Sequence, residues 1–582
     1  MTTASTSRWP AHLCALLLLL GAFVAFPAAE IGIVDDWAYI QSARLLAQTG
    51  HIVYNGWDTP MLGWQLFLGA LFAKLFGPSY TAIRFSTLLV ATATAFLTQR
   101  TLVRAGITSR NATIGTISLV LSPLFLPLAV SFMTDIGGLF CVVLCLYACL
   151  RALQAHTNAT VLAWLCFAAL SNAAGGTVRQ IAWLGVLVMF PCTVWLLRRR
   201  PRVLVTGAPL YAISFIIVFG SLHWFLHQPH AESEPLLVGI SNPHQLVHLA
   251  VELLSIFLSF ALFLLPILIA FIPAVSLRNR RTSTFLAVGG LFCASVYIFL
   301  AVAHPHTLVG LIAPFKGNYV TPYGILGSFS IKGYPPTVLA PLLRFLITIL
   351  VLAALLCFSA FPLARPRRTF SASQPPVTGT LSWPCLLILT GPFVLAYLAL
   401  LLPRGLRGDL FDRYLLLLLP IGLILLLRLF QDRVQPNLPA LSYALVLLFA
   451  LYAIAGTHDA FCMYRARQAA VTELLFAGIP DTAIDAGFEH NGTAQIERVG
   501  YIAGPHTRPT TAAKPSLFPV DCEPDEGWLT PAMVPGYALS YNPNACGGPS
   551  RFVPIAYRQW LRGFHTTTIY IVDTAKSAPT QP

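Results

Sequence analysis

Charge is what this chain lacks. Only 10% of its 582 residues are charged, with 22 Asp and Glu against 36 Lys and Arg, while 56% are hydrophobic. Soluble domains carry roughly 25% charged residues. A deficit of this size over most of the length excludes an ordinary soluble fold and predicts a polytopic membrane protein. The surplus of positive charge does not imply a nucleic-acid partner, because the basic residues stand in short clusters between apolar runs, where they orient spans in a bilayer. No CxxC pair of zinc-like spacing appears, and most of the 12 cysteines lie inside apolar runs as small core hydrophobes. The middles of the apolar runs are nearly free of ionisable groups and no internal repeat is visible. Both absences argue against a proton- or ion-coupled transporter.

What is present is a series of apolar runs of about 20 residues, the length of a span. They fall near 11–29, 79–103, 111–131, 135–152, 159–175, 181–197, 203–226, 247–276, 284–303, 338–362, 381–402, 413–430 and 438–456. The run 11–29 follows Arg8 and ends on Pro27-Ala28-Ala29, so it also fits a cleaved signal peptide; the topology favours an uncleaved first span. Residues 62–76 are apolar but short, carry Lys74 and lie between Pro60 and Pro78, which predicts an interfacial or re-entrant helix. With the N-terminus in the cytoplasm, Arg100, Arg104, Arg110, Arg151, the clusters at 198–202, 278–281 and 365–368, Arg428 and Arg433 all fall inside. About thirteen spans then put the C-terminus outside. The expected location is a bacterial-type inner (plasma) membrane. A multi-pass domain over 1–456, with a first outer loop at 30–78, would precede an extracytoplasmic segment at 457–582. That segment is polar and rich in Pro, Gly and Thr. A helix around 459–477 and strand-like runs at 482–486 and 566–572 predict a small α/β domain. In an oxidising compartment, Cys522 and Cys546 are expected to form a disulfide.

This orientation gathers the scarce polar residues on the outer face. Asp35 and Asp36, in Ile33-Val34-Asp35-Asp36-Trp37-Ala38-Tyr39, follow the first apolar run almost directly. Adjacent acids suit a general base beside a group that orients a substrate or binds a cation; they equally suit the N-terminus of a helix over 37–48. Tyr39 lies one turn beyond Asp35 on the same face, within reach of a phosphate. Asp135, opening the fourth span in Met133-Thr134-Asp135-Ile136, reads as a helix cap or as a second acid of the site. In Asp412-Arg413-Tyr414, the guanidinium is placed to grip a phosphate diester or to pair with Asp409 or Asp412. Arg179 reads as a phosphate ligand or a loop charge. His223/His227 and His244/His248 have the i, i+4 spacing of a metal pair, near His230, Glu232 and Glu234. A divalent metal there is the alternative to interfacial histidines. Lys316, Tyr319 and Tyr323 in the loop 304–337 are further candidates for phosphate or sugar contacts.

The acid-x-x-Tyr opening of the first outer loop is followed by an amphipathic helix. Next comes an apolar helix from Pro60 to Leu75-Phe76-Gly77-Pro78-Ser79, and then Ala82-Ile83-Arg84-Phe85. This order resembles the GT-C membrane glycosyltransferases, in particular the protein O-mannosyltransferase and aminoarabinose-transferase branch and its bacterial relatives. The resemblance is strongest over 30–150, and the Arg413-Tyr414…Pro420 run is similar to a late signature of these enzymes. It implies an all-α polytopic catalytic domain and a hexosyl- or pentosyltransferase. The sugar would pass from a polyprenyl-phosphate donor to a lipid, glycan or protein acceptor on the outer face. It maps the base onto Asp35, with Asp36 and Asp135 beside it, and a donor-phosphate contact onto Tyr39, joined by Arg179, Arg413 and Tyr414. One departure stands out: Asp58-Thr59-Pro60-Met61 occupies the place of a Lys-Pro-Pro run. The competing classes are a lipid-linked-saccharide flippase, which needs a charged mid-membrane path, and a non-catalytic scaffold of cell-envelope glycan assembly.

Overall fold

A computed structural model describes residues 7–57, 59–232, 242–275, 279–327, 331–363, 381–502, 522 and 527–574. Asp58, Glu234, Arg278 and the 365–368 cluster singled out above lie outside the described residues.

Among the described residues, nine helices are long and apolar enough to cross a membrane: Tyr80–Arg104, Thr134–Gln154, Asn158–Gly175, Pro201–Leu226, Pro243–Phe263, Arg280–Ala303, Pro341–Leu363, Trp383–Arg407 and Ala440–Phe476. The other expected runs are short or broken, and proline accounts for much of the breaking, since it lacks an N–H and crowds the preceding turn. The run 111–131 divides at Ser122-Pro123 into Ser109–Val120 and Phe125–Ala129. The run 413–430 becomes a 3-10 segment, Asp412–Leu417, and a helix, Leu419–Arg433, with Pro420 in its first turn. The run 181–197 winds as 3-10, π and α segments, with Pro191 opening the last. The first run is the helix Trp9–Ala25, and 62–76 is the short helix Gly63–Phe76.

Two acids fix the first outer loop to the bundle. Glu30 accepts the backbone N–H groups of Tyr80 and Thr81 (2.7 and 3.1 Å), satisfying the donors at the start of Tyr80–Arg104. Asp36 opens the helix Asp36–Thr49 and is wholly buried against Arg84.

The last long helix, Ala440–Phe476, contains no proline and runs unbroken through 456/457, where the composition changes. The helix expected around 459–477 is therefore its C-terminal half. A four-stranded sheet follows, in the order Ile484–Asp485, Tyr537–Ser540, His565–Asp573, Ile555–Gln559; the first pair is parallel and the others antiparallel. Asp459 on the long helix accepts the N–H groups of Trp560 and Leu561 (2.7 and 2.9 Å), holding the turn between the last two strands. Arg467, fully buried, donates to the Ala486 carbonyl and to Glu489 and so fastens the helix Phe488–Val499. The loop 304–337 joins the same unit, with Lys332 N–H donating to the Leu539 carbonyl. Cys522 and Cys546 are bridged, with Cα atoms 5.2 Å apart.

Candidate active site

The residue before Asp35, Val34, has φ +53°. A β-branched side chain is strained in this left-handed region. The strain is sustained on its C-terminal side, where Asp36 accepts the Ile33 N–H at 2.8 Å. Both Asp36 oxygens meet Arg84 (2.7 and 3.0 Å), and one also accepts the Phe132 N–H at 3.2 Å. Arg84 further donates to the carbonyls of Ala29 and Ile31. Asp36 thus has no oxygen left for a substrate. Expected from the sequence as a supporting catalytic acid, it instead ties the loop to the bundle and turns Asp35 the other way.

Asp35 is partly open, with 15% of its side chain exposed. One oxygen accepts Arg413 at 2.8 Å and the other accepts the Trp57 indole N–H at 3.2 Å. Arg413 sits in the 3-10 segment Asp412–Leu417, whose first residue, Asp412, is the anchor. The Asp412 carboxylate accepts the N–H groups of Tyr319 and Val320 at 3.0–3.1 Å, drawing the loop 304–337 onto the site. Burial pushes the Asp412 carboxyl up to about 6, against the pull of those backbone N–H groups.

Arg179 meets Asp135 at 2.6 Å. Asp135 is fully buried and orients Arg179 rather than facing solvent. The ring of Tyr414 collects the cations: the guanidinium carbons of Arg404, Arg179 and Arg413 stand 4.7, 5.5 and 5.7 Å from its centroid. Arg404 also donates to the Tyr414 hydroxyl, and Tyr397 donates to the Tyr414 carbonyl at 2.6 Å. Three arginines therefore share one neighbourhood with two carboxylates, Asp35 and Asp135. Two polar atoms there, Arg413 Nε and Asp135 Oδ2, are buried with no hydrogen-bond partner among the described residues. Buried polar groups are paired in the great majority of cases, so this is a place with unused donor and acceptor capacity.

Most of the residues read from the sequence thus converge: Asp35, Asp36, Asp135, Arg179, Arg413 and Tyr414. Tyr39 lies in the first turn of the helix Asp36–Thr49 and is buried, 4% exposed. Lys316 is engaged by Glu252 at 2.7 Å. Tyr319 is buried behind Asp412, and burial pushes its phenol well up. Among the described residues no group of three or more His, Cys, Asp and Glu is placed for an ion, in the histidine region or elsewhere. The His223 and His227 rings lie 4.2 Å apart with their planes tilted by 50°, and His248 faces Glu252. The sequence reading gave no role to Arg84, Arg404 or Trp57, and saw Asp412 only as an ion-pair partner for Arg413, which pairs with Asp35 instead. Arg84 had a signal: a charge inside an apolar run needs a buried partner.

No family model matches the chain, and no curated protein does. Its fold is similar to those of membrane glycosyltransferases. ArnT from Cupriavidus metallidurans bound to undecaprenyl phosphate is 13% identical, with 83% of this chain and 74% of that one covered and a TM-score of 0.38. The archaeal oligosaccharyltransferase AglB from Archaeoglobus fulgidus, in complex with an inhibitory peptide and a dolichol-phosphate, is 16% identical over 81% of this chain and 58% of that one, at 0.37. A protein O-mannosyltransferase complex of S. cerevisiae bound to the sugar donor is 12% identical over 39% of this chain, at 0.31; the match spans only 34% of that chain. Likeness at this level says nothing about which reaction this chain carries out.

Proposed function

We propose that the chain transfers a glycosyl group from a polyprenyl-phosphate sugar to a hydroxyl acceptor at the outer face of a membrane. The observation that carries this reading is the Asp35–Arg413 pair, a partly open carboxylate held 2.8 Å from one of three clustered arginines. The acceptor oxygen would form a bond to the anomeric carbon as the bond from that carbon to the phosphate oxygen breaks. The hydroxyl proton passes to Asp35, and the polyprenyl phosphate leaves with its negative charge facing Arg413 and Arg179. In the free protein Arg413 neutralises Asp35. An arriving phosphate competes for that guanidinium, whose unpartnered Nε offers a further donor, and so releases the base only when donor is present. A single displacement of this kind inverts the anomeric configuration. The catalytic part would be the membrane portion over 1–456, with 457–582 outside the membrane and the N-terminus inside.

The test is consumption of radiolabelled polyprenyl-phosphate sugars by the purified chain. Asp35→Asn should lower turnover about 10²–10⁴-fold, the usual worth of a general base, while donor still binds. Near-normal turnover in that variant rejects the assignment.

A further inference from the structure

The rings around Asp35 belong to no part of the phosphate site. Trp57, half-buried, donates its indole N–H to Asp35. Its ring lies 4.9 Å from Phe488 and 6.0 Å from Trp37. Phe488 comes from the C-terminal segment and is also half-buried. Next to Asn55 and Gly56 of the same loop, His230 and Tyr501 stack at 4.7 Å with planes 13° apart, and Tyr501 is 40% exposed. The loop's backbone is already paired: Gly56 N–H donates to the His230 carbonyl, Ile502 N–H to the Asn55 carbonyl and Trp57 N–H to the Asn55 side chain.

We infer that Trp57 and Phe488, with Tyr501 at the rim, form the acceptor platform, and that the acceptor presents a pyranose ring. This rests on the transferase reading above. The axial C–H groups of a pyranose carry slight positive charge and make a small apolar face, which fits the negative face of an aromatic ring. A hydroxyl on a ring lying against Trp57 is brought to the carboxylate that the same indole holds. A peptide acceptor would be gripped through backbone groups along a strand edge, and the loop's three named backbone groups are taken. The C-terminal segment is then part of the acceptor site.

The experiment needs no donor, so its outcome is separate from that of donor consumption. Saturation-transfer NMR is run on the full chain in lipid nanodiscs, with cellobiose, maltose and N,N′-diacetylchitobiose as probes and a threonine-containing hexapeptide as the alternative. At least one disaccharide should be saturated at its ring C–H protons. Phe488→Ala should weaken its binding about 2–10-fold, the worth of one aromatic face, while Trp57→Phe retains it. Should Phe488→Ala fail to fold, the exposed Tyr501→Ala takes its place with the same expectation. The inference is overturned if no disaccharide is saturated, if the signal survives these alanine variants unchanged, or if the peptide is saturated instead.

Discussion

At the scale of single residues the site is a set of charges with assigned partners. Arg413 is expected to grip phosphate through its planar fork, so Arg413→Lys keeps the charge and loses the geometry. Donor KM should rise about tenfold, near the low end for a charge-assisted hydrogen bond, in kinetics at fixed acceptor; an unchanged KM would make this arginine structural. Arg84 has the opposite character. Arg84→Met leaves Asp36 buried without its cation, and breaking such a pair costs about 3–5 kcal/mol. The expected result is low yield of folded protein in a thermal-stability screen, before any assay of turnover. Val34→Gly removes a strain on the order of 1–3 kcal/mol and should raise thermal stability while lowering turnover, because the constraint that aims Asp35 goes with it. A variant that loses stability would show that Val34 is not strained. Asp35, Asp135 and Arg413 were legible as charges at the ends of apolar runs. Their pairing was not, since Asp35 and Arg413 lie 378 residues apart and only the fold brings them together.

Among elements, the helix Phe488–Val499 carries the most consequence. It docks on Asp36–Thr49 by a wedge: a Cβ at Gly492 would lie 2.5–2.8 Å from the Trp37 ring. Gly492→Val should push the two helices apart, uncovering Trp37 to solvent with a red shift of tryptophan emission; an unshifted spectrum would mean the ring yields instead. His490 in the same helix is held neutral by burial, with Asp481 at 3.4 Å and Asp485 opposing that shift and Arg467 adding to it. A histidine whose folded value is depressed takes up its proton more readily when unfolded. Stability from this site is present above its ordinary value of 6.5 and is lost as pH falls below it. Amide protection over 488–499, with the intrinsic pH dependence of exchange divided out, should fall from pH 7.5 to pH 5.5 in the native chain and change less in His490→Gln. Element positions were largely readable from hydrophobic runs. Breaks at Pro123, Pro191 and Pro420 were in plain sight but lost inside continuous apolar stretches, and the unbroken passage through 456/457 was hidden by a change in composition that does not interrupt a helix.

For the molecule as a whole, the orientation proposed from the arginine clusters places Arg202 inside and Gly478 outside. Reporter fusions at these two positions should read cytoplasm and exterior respectively, and the reverse pattern would remove the site from the outer face. The helix Ala440–Phe476 also has a mechanical meaning. Its 37 residues make a rod about 55 Å long at 1.5 Å per residue, against a hydrocarbon core of about 30 Å. Its upper part is a lever arm. When a thinner bilayer tilts the embedded part by about 5°, Arg467, about 10 Å above the core, sweeps about 1 Å, which rivals the tolerance of a reacting geometry. That arginine grips Glu489, the neighbour of Phe488. Lipid chain length, far from any reacting atom, thereby becomes a tuning screw on the ring beside Asp35.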